Sequence, residues 1–180
     1  LAPWRATQAA PEIIAAMLAA LSGEFTVRDN IAIHASSTVE AGAVLKGPIL
    51  IGPRSFVAAG AYLRGGVWLE GDNIIGPCCE AKTIFMFSHT KIAHLSFVGD
   101  SVLGHEVNVE AGAMIANYRN EKKDKAIAFN FKGQRIITGV DKFGAMLADG
   151  VRIGANAVVA PGAILDKGEK VGRLQLIDQS

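Results

Sequence analysis

Aromatic side chains are scarce in this chain of 180 residues, where Phe, Trp and Tyr make up 7%. Half of the residues are hydrophobic, so a core has to be assembled from small aliphatics. Cysteine is nearly absent. Cys78 and Cys79 are adjacent, an arrangement that gives neither a disulfide framework nor metal-ligand spacing, and reduced thiols in a cytoplasmic protein are expected. Charge of one sign is lacking too: the formal net charge is +1, which argues against a nucleic-acid-coating or polybasic membrane protein. No apolar run approaches the ~18 residues of a membrane span. No charged-then-apolar signal pattern follows Leu1. The length suits one domain with a real core, or a domain with a short appendage.

What the chain does have is a period. Every sixth residue from Ile33 reads Ile33, Val39, Leu45, Ile51, Val57, Leu63, Leu69, Ile75 and Ala81, all but the last Ile, Leu or Val. After a slip near residues 82–91 the period resumes at Leu103, Val109 and Ile115, and again at Leu147, Ile153, Val159, Leu165 and Val171. A small residue often lies two positions earlier, as at Ser37, Ala43, Ser55, Ala61 and Cys79. A helix repeats its apolar face every ~3.6 residues and an alternating strand every 2. A period of six means a short strand and a turn, repeated, with one large aliphatic pointing inward each time. Three such strands per coil make a triangular prism of about 18 residues per turn, a parallel β-helix. Cys79 occupies an inward slot and reads as structural.

Two segments depart from the period. "APEIIAAMLAALSG" predicts one helix, with Pro11 in the first turn, apolar residues from Ile13 to Leu21 and Gly23 as the stop. Such a helix is expected to pack across the open first coil, whose strand edges otherwise invite pairing. Residues 1–30 are thus read as a helical cap and residues 31–180 as the β-helix domain. Within it, residues 117–138 predict an excursion: "AIAFNF" and "QRIIT" alternate around Lys132-Gly133 as a protruding hairpin. A loop of that length inside a compact repeat usually has a function.

Arg64, Lys82, His94, Asn108, Asn117 and Tyr118 fail the repeat and are polar or basic, most of them about 9 to 18 residues apart. On 18-residue coils such residues can stack near one edge, which suggests a site for an anionic ligand with a base beside it. The stretch from about Gly47 to Ala163, above all "HLSFVGD", "VNVEAGAMIANY" and "KFGAML", resembles the hexapeptide-repeat acyltransferases. Within them it is similar to the acetyltransferase domain of the bifunctional enzyme that makes UDP-N-acetylglucosamine. It is also similar to the C-terminal domain of archaeal sugar-1-phosphate nucleotidyltransferases. The resemblance implies an all-β, left-handed parallel β-helix with an N-terminal α-helix, assembled as a homotrimer with sites between subunits. The implied reaction is acetyl transfer from acetyl-CoA to the amine of an amino sugar phosphate such as glucosamine 1-phosphate, without a metal.

The resemblance also implies roles. His94 matches the general base, a task suited to an imidazole that titrates near neutrality. Arg64 in "YLRGG" and Lys82 in "CCEAKT" match the phosphate grip, the one a planar fork and the other a point charge. Asn108, Asn117 and Tyr118 surround the sugar, and Lys123 reaches the phosphate from a neighbouring subunit. Ala111, Ala145 and Ala155 lie along the pantetheine arm. Glu80 could orient the imidazole or hold the acceptor amine.

Three positions depart from the pattern. Phe97 stands where the family has a tyrosine, so one phenolic hydrogen bond to substrate is missing. Gly65 replaces a proline. The C-terminal tail is short, leaving Arg173 as the one arginine toward coenzyme A. Two alternative functions remain: a non-catalytic trimerisation module related to the nucleotidyltransferases, and a metal-dependent carbonic anhydrase-like protein. His89 and His94 suggest the latter, but no histidine lies near Pro53 and Arg54 to serve as a third ligand.

Overall fold

The computed structural model describes residues 2–180. Short strands stack in parallel register on three flat faces joined by tight turns. The first face holds Val44–Lys46, the opening halves of Tyr62–Leu69, Glu80–Met86 and Phe97–Leu103, then Met114–Ile115, Val158–Val159 and Leu176–Ile177. The second holds Ile31–His34, Ile49–Ile51, the closing halves of the three long strands, Ala145–Leu147 and Ala163–Leu165. The third runs from Thr38–Val39 through Phe56–Val57, Ile74–Ile75, Lys91–Ile92, Asn108–Val109 and Arg152–Ile153 to Lys170–Val171. This is the three-sided parallel β-helix that the six-residue period requires.

The repeat positions make its core. Ile51, Val57, Leu63, Leu69, Ile75, Ala81, Leu103, Val109, Ile115, Leu147, Ile153, Val159 and Leu165 are fully buried in one continuous cluster, and Ile33, Val39 and Leu45 pack against it at the open end. Burying each large aliphatic is worth about 1.5–3 kcal/mol. Ser55, Ala61 and Cys79 fill the tight turn slots beside them. Burial pushes the Cys79 thiol up, so it stays protonated and unreactive.

The slip near residues 82–91 is a shortened coil, and the core runs through it unbroken. Leu63 pairs with Ala81 eighteen positions on, whereas Leu69 pairs with Met86 seventeen positions on. One residue is missing at the corner between the first and second faces. Met86, Ile92 and Val98 carry the inward column through the gap, all fully buried.

The expected helix over "APEIIAAMLAALSG" is α2 (Ala10–Ala19), and a further short helix, α1 (Pro3–Gln8), precedes it, the two parted at Ala9. Neither crosses the open end. Ala10 and Ile14 of α2 are buried on the second face with Ala32 and Leu50, and Trp68 and Phe85 pack against them. The edge of the first coil is covered instead by the strand Phe25–Arg28, antiparallel to Ile31–His34. Helix burial wins over edge-capping because the second face offers a row of outward Leu, Trp and Phe. The helix junction can approach the prism because Gly66, at φ 95°, has no side chain. A Cβ there would lie 3.0 Å from the Pro11 nitrogen.

The excursion leaves the prism after Met114–Ile115 and returns at Ala145–Leu147, at that same first-to-second corner. Ala128–Phe131 and Gln134–Ile137 form an antiparallel hairpin. Ile127, Phe129, Val140 and Phe143 bury a second small core against Trp4 of α1. Trp4 meets Phe129 and Phe143 edge-on, at centroid distances of 5.9 and 5.8 Å. Below it, the buried Arg119 guanidinium donates to both oxygens of Asp178 at 2.8 and 3.1 Å and to the Pro161 carbonyl at 2.8 Å. The C-terminal tail therefore ties down the root of the excursion.

Candidate active site

The shortened corner determines which side chains can meet. Arg64 and Lys82 are register partners on adjacent coils of the first face, and their side chains project outward beside that corner. Arg64 is held from two sides: Nη2 and Nε lie 2.6 and 2.7 Å from Glu80 Oε1, and the guanidinium sits 5.6 Å from the centre of the Tyr62 ring. Lys82 Nζ donates to both carboxylate oxygens of Asp100, at 2.8 and 3.0 Å. That pair is largely withdrawn from solvent, with side-chain exposures of 15% and 8%. Asp100 also accepts a short hydrogen bond from the Asn117 amide. It takes a left-handed backbone, φ 45°, at the corner where the coil has lost a residue.

Arg64, Lys82, Phe97, Asn117, Tyr118 and Lys142 line one open cleft of about 410 Å³. The structure thus brings together five of the expected residues, with Glu80 joined to them through Arg64. Glu80 is engaged by that guanidinium, so it neither orients the imidazole nor stands free for an amine. Phe97 sits on the first face between Glu80 and Met114, with the tip of its ring beside Gly99. Tyr118 is partly exposed and carries Lys125 5.2 Å above its ring.

Other expected residues lie elsewhere in the chain. His94 is exposed at the corner between the third and first faces, three residues before Phe97, so the first face separates it from the Arg64–Lys82 edge. Ala111 and Ala155 occupy the same corner on the next two coils, where Asn156 N donates to the Ala111 carbonyl at 3.0 Å. Arg173 joins them, 3.0 Å from Glu110, and Glu110 also accepts from Ala155 N at 2.8 Å. Asn108 points outward on the third face between Lys91 and Arg152, away from the cleft of its own chain. Ala145 departs furthest. It is fully buried in the prism core on the second face, because its place in the repeat is an inward one, so it does not line up with Ala111 and Ala155. Lys123 is exposed on the excursion and does not line the cleft.

Two site residues escaped the sequence reading. Asp100 sits in the "GD" of the quoted motif, and a charged residue inside an otherwise small, apolar run was its signal. Lys142 opens the quoted "KFGAML", but nothing in that segment ties it to the cleft, which it reaches only through the return of the excursion.

A stacked prism with cationic side chains along one edge of a face, and small residues with an arginine along the other, defines a hexapeptide-repeat protein with a basic cleft. Comparison with known proteins narrows the class. No protein-family model matches the chain. A bifunctional sugar-1-phosphate nucleotidylyltransferase/acetyltransferase of Sulfurisphaera tokodaii is 36% identical over 148 residues, 76% of this chain and 35% of its own length. A bifunctional protein GlmU of Methanococcus maripaludis is 32% identical over 182 residues, 98% of this chain and 43% of its own length. The bifunctional protein GlmU of Marinobacter nauticus is 36% identical over 137 residues, 76% of this chain and 24% of its own length. The chain is homologous to the acetyltransferase region of these hexapeptide-repeat proteins. It spans less than half the length of each. Among solved structures, the acetyltransferase domain of PglB from Neisseria gonorrhoeae in complex with acetyl coenzyme A is 20% identical, with a TM-score of 0.49, covering 91% of this chain and 62% of that one.

Proposed function

We propose that the protein transfers an acetyl group from acetyl-CoA to the amine of an amino sugar phosphate, with glucosamine 1-phosphate as the first acceptor to test. The observation that carries this reading is the division of the first face. Cationic side chains converge at one edge, and His94 stands at the other beside Ala111, Ala155 and Arg173. Three strand residues separate the edges, about 10 Å along the backbone. The long Arg64 and Lys82 side chains have to shorten that gap, because in glucosamine 1-phosphate the amine-bearing carbon is bonded to the carbon that carries the phosphate. With the phosphate at Arg64 and Lys82, the sugar crosses Phe97 toward the His94 corner. The amine nitrogen attacks the thioester carbonyl, its proton passes to the neutral imidazole, and the thiolate of coenzyme A leaves. Phe97 gives the sugar an apolar floor and no hydroxyl contact. Two successive alanines at the corner leave room for the pantetheine arm along the backbone, and Arg173 offers a charge to its phosphates.

The site as proposed is completed by assembly. Asn108 on the third face and Lys123 on the excursion reach a sugar phosphate only from neighbouring copies, so the functional unit is a homotrimer. Among the described residues no helix is long and apolar enough to cross a membrane, and the nucleotide-sugar chemistry fits a cytoplasmic protein. The competing view, a trimerisation module without activity, is weakened by the intact set of Arg64, Lys82, Asn117 and Tyr118 around one cleft.

The test is release of free coenzyme A from acetyl-CoA in the presence of glucosamine 1-phosphate. The reading expects turnover, and a His94→Ala variant slowed by at least about a hundredfold with coenzyme A affinity kept. Absence of turnover with coenzyme A still bound would favour the module, and a normal rate in His94→Ala would remove the imidazole from the mechanism.

A further inference from the structure

The two basic register partners of the cleft are already paired. Arg64 is paired with Glu80 at 2.6 Å and Lys82 with Asp100 at 2.8 Å, so the two side chains expected to grip a phosphate each carry their own counterion. Lys125 lies over the Tyr118 ring and donates to the Arg119 and Asn120 carbonyls at 3.2 and 2.9 Å. Lys142 is different. It is exposed, lines the cleft, and among the described residues no carboxylate comes within 4.0 Å of its Nζ, the adjacent Asp141 included. It also lines a neighbouring cavity of about 360 Å³ with Thr7, Pro11, Gly65, Thr83 and Asp100.

The position of Lys142 is built. The next residue, Phe143, is fully buried against Trp4 and Phe129, and its N–H donates to the Asn117 carbonyl at 3.1 Å. Gly144 N–H donates to the Asp100 carbonyl at 2.9 Å. A Cβ on Gly144 would lie 2.1 Å from the Gly99 carbonyl oxygen, so this strand end is pressed onto the coil that carries Asp100. The backbone beside Lys142 is therefore clamped to the same two residues, Asn117 and Asp100, that organise the cleft. The side chain has one flexible stem and a fixed root.

Resting on the acetyl-transfer reading, we propose that Lys142 supplies the uncompensated positive charge that selects a phosphorylated over an unphosphorylated amino sugar. A phosphate entering the cleft competes with Glu80 for Arg64 and with Asp100 for Lys82, and part of each gain is lost in breaking an existing ion pair. At Lys142 it meets a charge with no prior partner, so the Coulombic gain is undiminished. Arg64 and Lys82 then set the geometry of the phosphate, and Lys142 sets the preference for it.

Calorimetric titration of glucosamine 1-phosphate, of glucosamine and of coenzyme A into wild type, Lys142→Met and Lys142→Arg tests this. Charge-assisted hydrogen bonds are worth enough to expect Kd for glucosamine 1-phosphate to rise about tenfold to a hundredfold in Lys142→Met. The arginine variant should recover most of that loss, and coenzyme A should bind all three alike. Added salt should weaken sugar-phosphate binding less in Lys142→Met than in wild type. A Lys142→Met protein that binds the sugar phosphate within about twofold of wild type overturns the assignment of Lys142 while leaving acetyl transfer standing. A wild-type protein that binds coenzyme A but neither sugar overturns both.

Discussion

Adding a single methyl group at Gly99 should damage the site while leaving the prism standing. In the structure a Cβ at that position would lie 2.7 Å from Asn117 Nδ2 and 2.7 Å from Phe97 Cζ. Ordinary carbon contacts settle at about 3.5–4.0 Å, so each neighbour has to retreat by roughly 1 Å. Both atoms are the tips of side chains, and the backbone of the coil need not move. Asn117 then loses its hydrogen bond to the Asp100 carboxylate, a bond to a charged group and so worth about 1.5–3 kcal/mol, and Phe97 is lifted from the floor of the cleft. Overpacking of this kind costs about 1–3 kcal/mol. With flexible tips absorbing part of it, about 1–3 kcal/mol is the expected loss, or roughly 2–12 °C in Tm for a chain of this length. A misplacement near 1 Å at a reacting centre can cost about a hundredfold in rate, so kcat/KM for the sugar phosphate should fall about tenfold to a hundredfold. Coenzyme A affinity should hold, since Ala111 and Ala155 lie at the other edge of the face. The assays are differential scanning calorimetry, thiol-release kinetics and coenzyme A titration. A Gly99→Ala protein with wild-type kinetics would refute the claim that Asn117 and Phe97 are confined against this strand.

Other perturbations separate site from scaffold. Arg64→Ala should weaken glucosamine 1-phosphate binding far more than coenzyme A binding in a calorimetric comparison, and equal losses would point to a folding defect. Phe143→Ala removes the keystone of the small hairpin core and should cost about 3–5 kcal/mol in denaturant titration, with the cleft disordered as the root of Lys142 is released. The Asp178 carboxyl is held well below the usual range, chiefly by its hydrogen bonds from the Arg119 guanidinium. Its stabilising contribution is therefore complete above the unfolded carboxylate value of about 4 and fades as the pH falls toward the folded one. The stability gap between wild type and Asp178→Asn should accordingly be constant near neutrality and narrow in acid, and a gap that widens in acid would contradict the pairing. Light scattering at micromolar concentration should give about three times the monomer mass, and a monomer would leave Asn108 and Lys123 without a cleft to join.

The period of six was enough to specify the prism, because each inward aliphatic at Ile51, Val57 or Leu63 is buried by its own coil and the coils above and below. That is local information repeated, and local repetition is legible in a linear chain. The polar residues that break the period, Arg64, Lys82, Asn117 and Tyr118, were legible for the same reason: in a solenoid, a residue that refuses the core has to point outward. The N-terminal helices were another matter. Whether they cap an open coil or lie along a face depends on which surface offers the larger apolar row, and Leu50, Trp68 and Phe85 form that row only after stacking. The shortened corner hid in the sequence as a slip, since one missing residue shifts the phase without exposing the core. Tertiary structure alone decided which expected residues meet. Ala145 turned into the core and Asn108 onto the third face because facing is set by the coil on which a residue falls. Lys142 entered the cleft because the excursion returns through Phe143, a contact between residues far apart in the chain whose energy comes from burying Trp4 and Phe129. Charge pairing is decided there too, for Glu80 and Asp100 neutralise Arg64 and Lys82 only when adjacent coils bring them within hydrogen-bond reach.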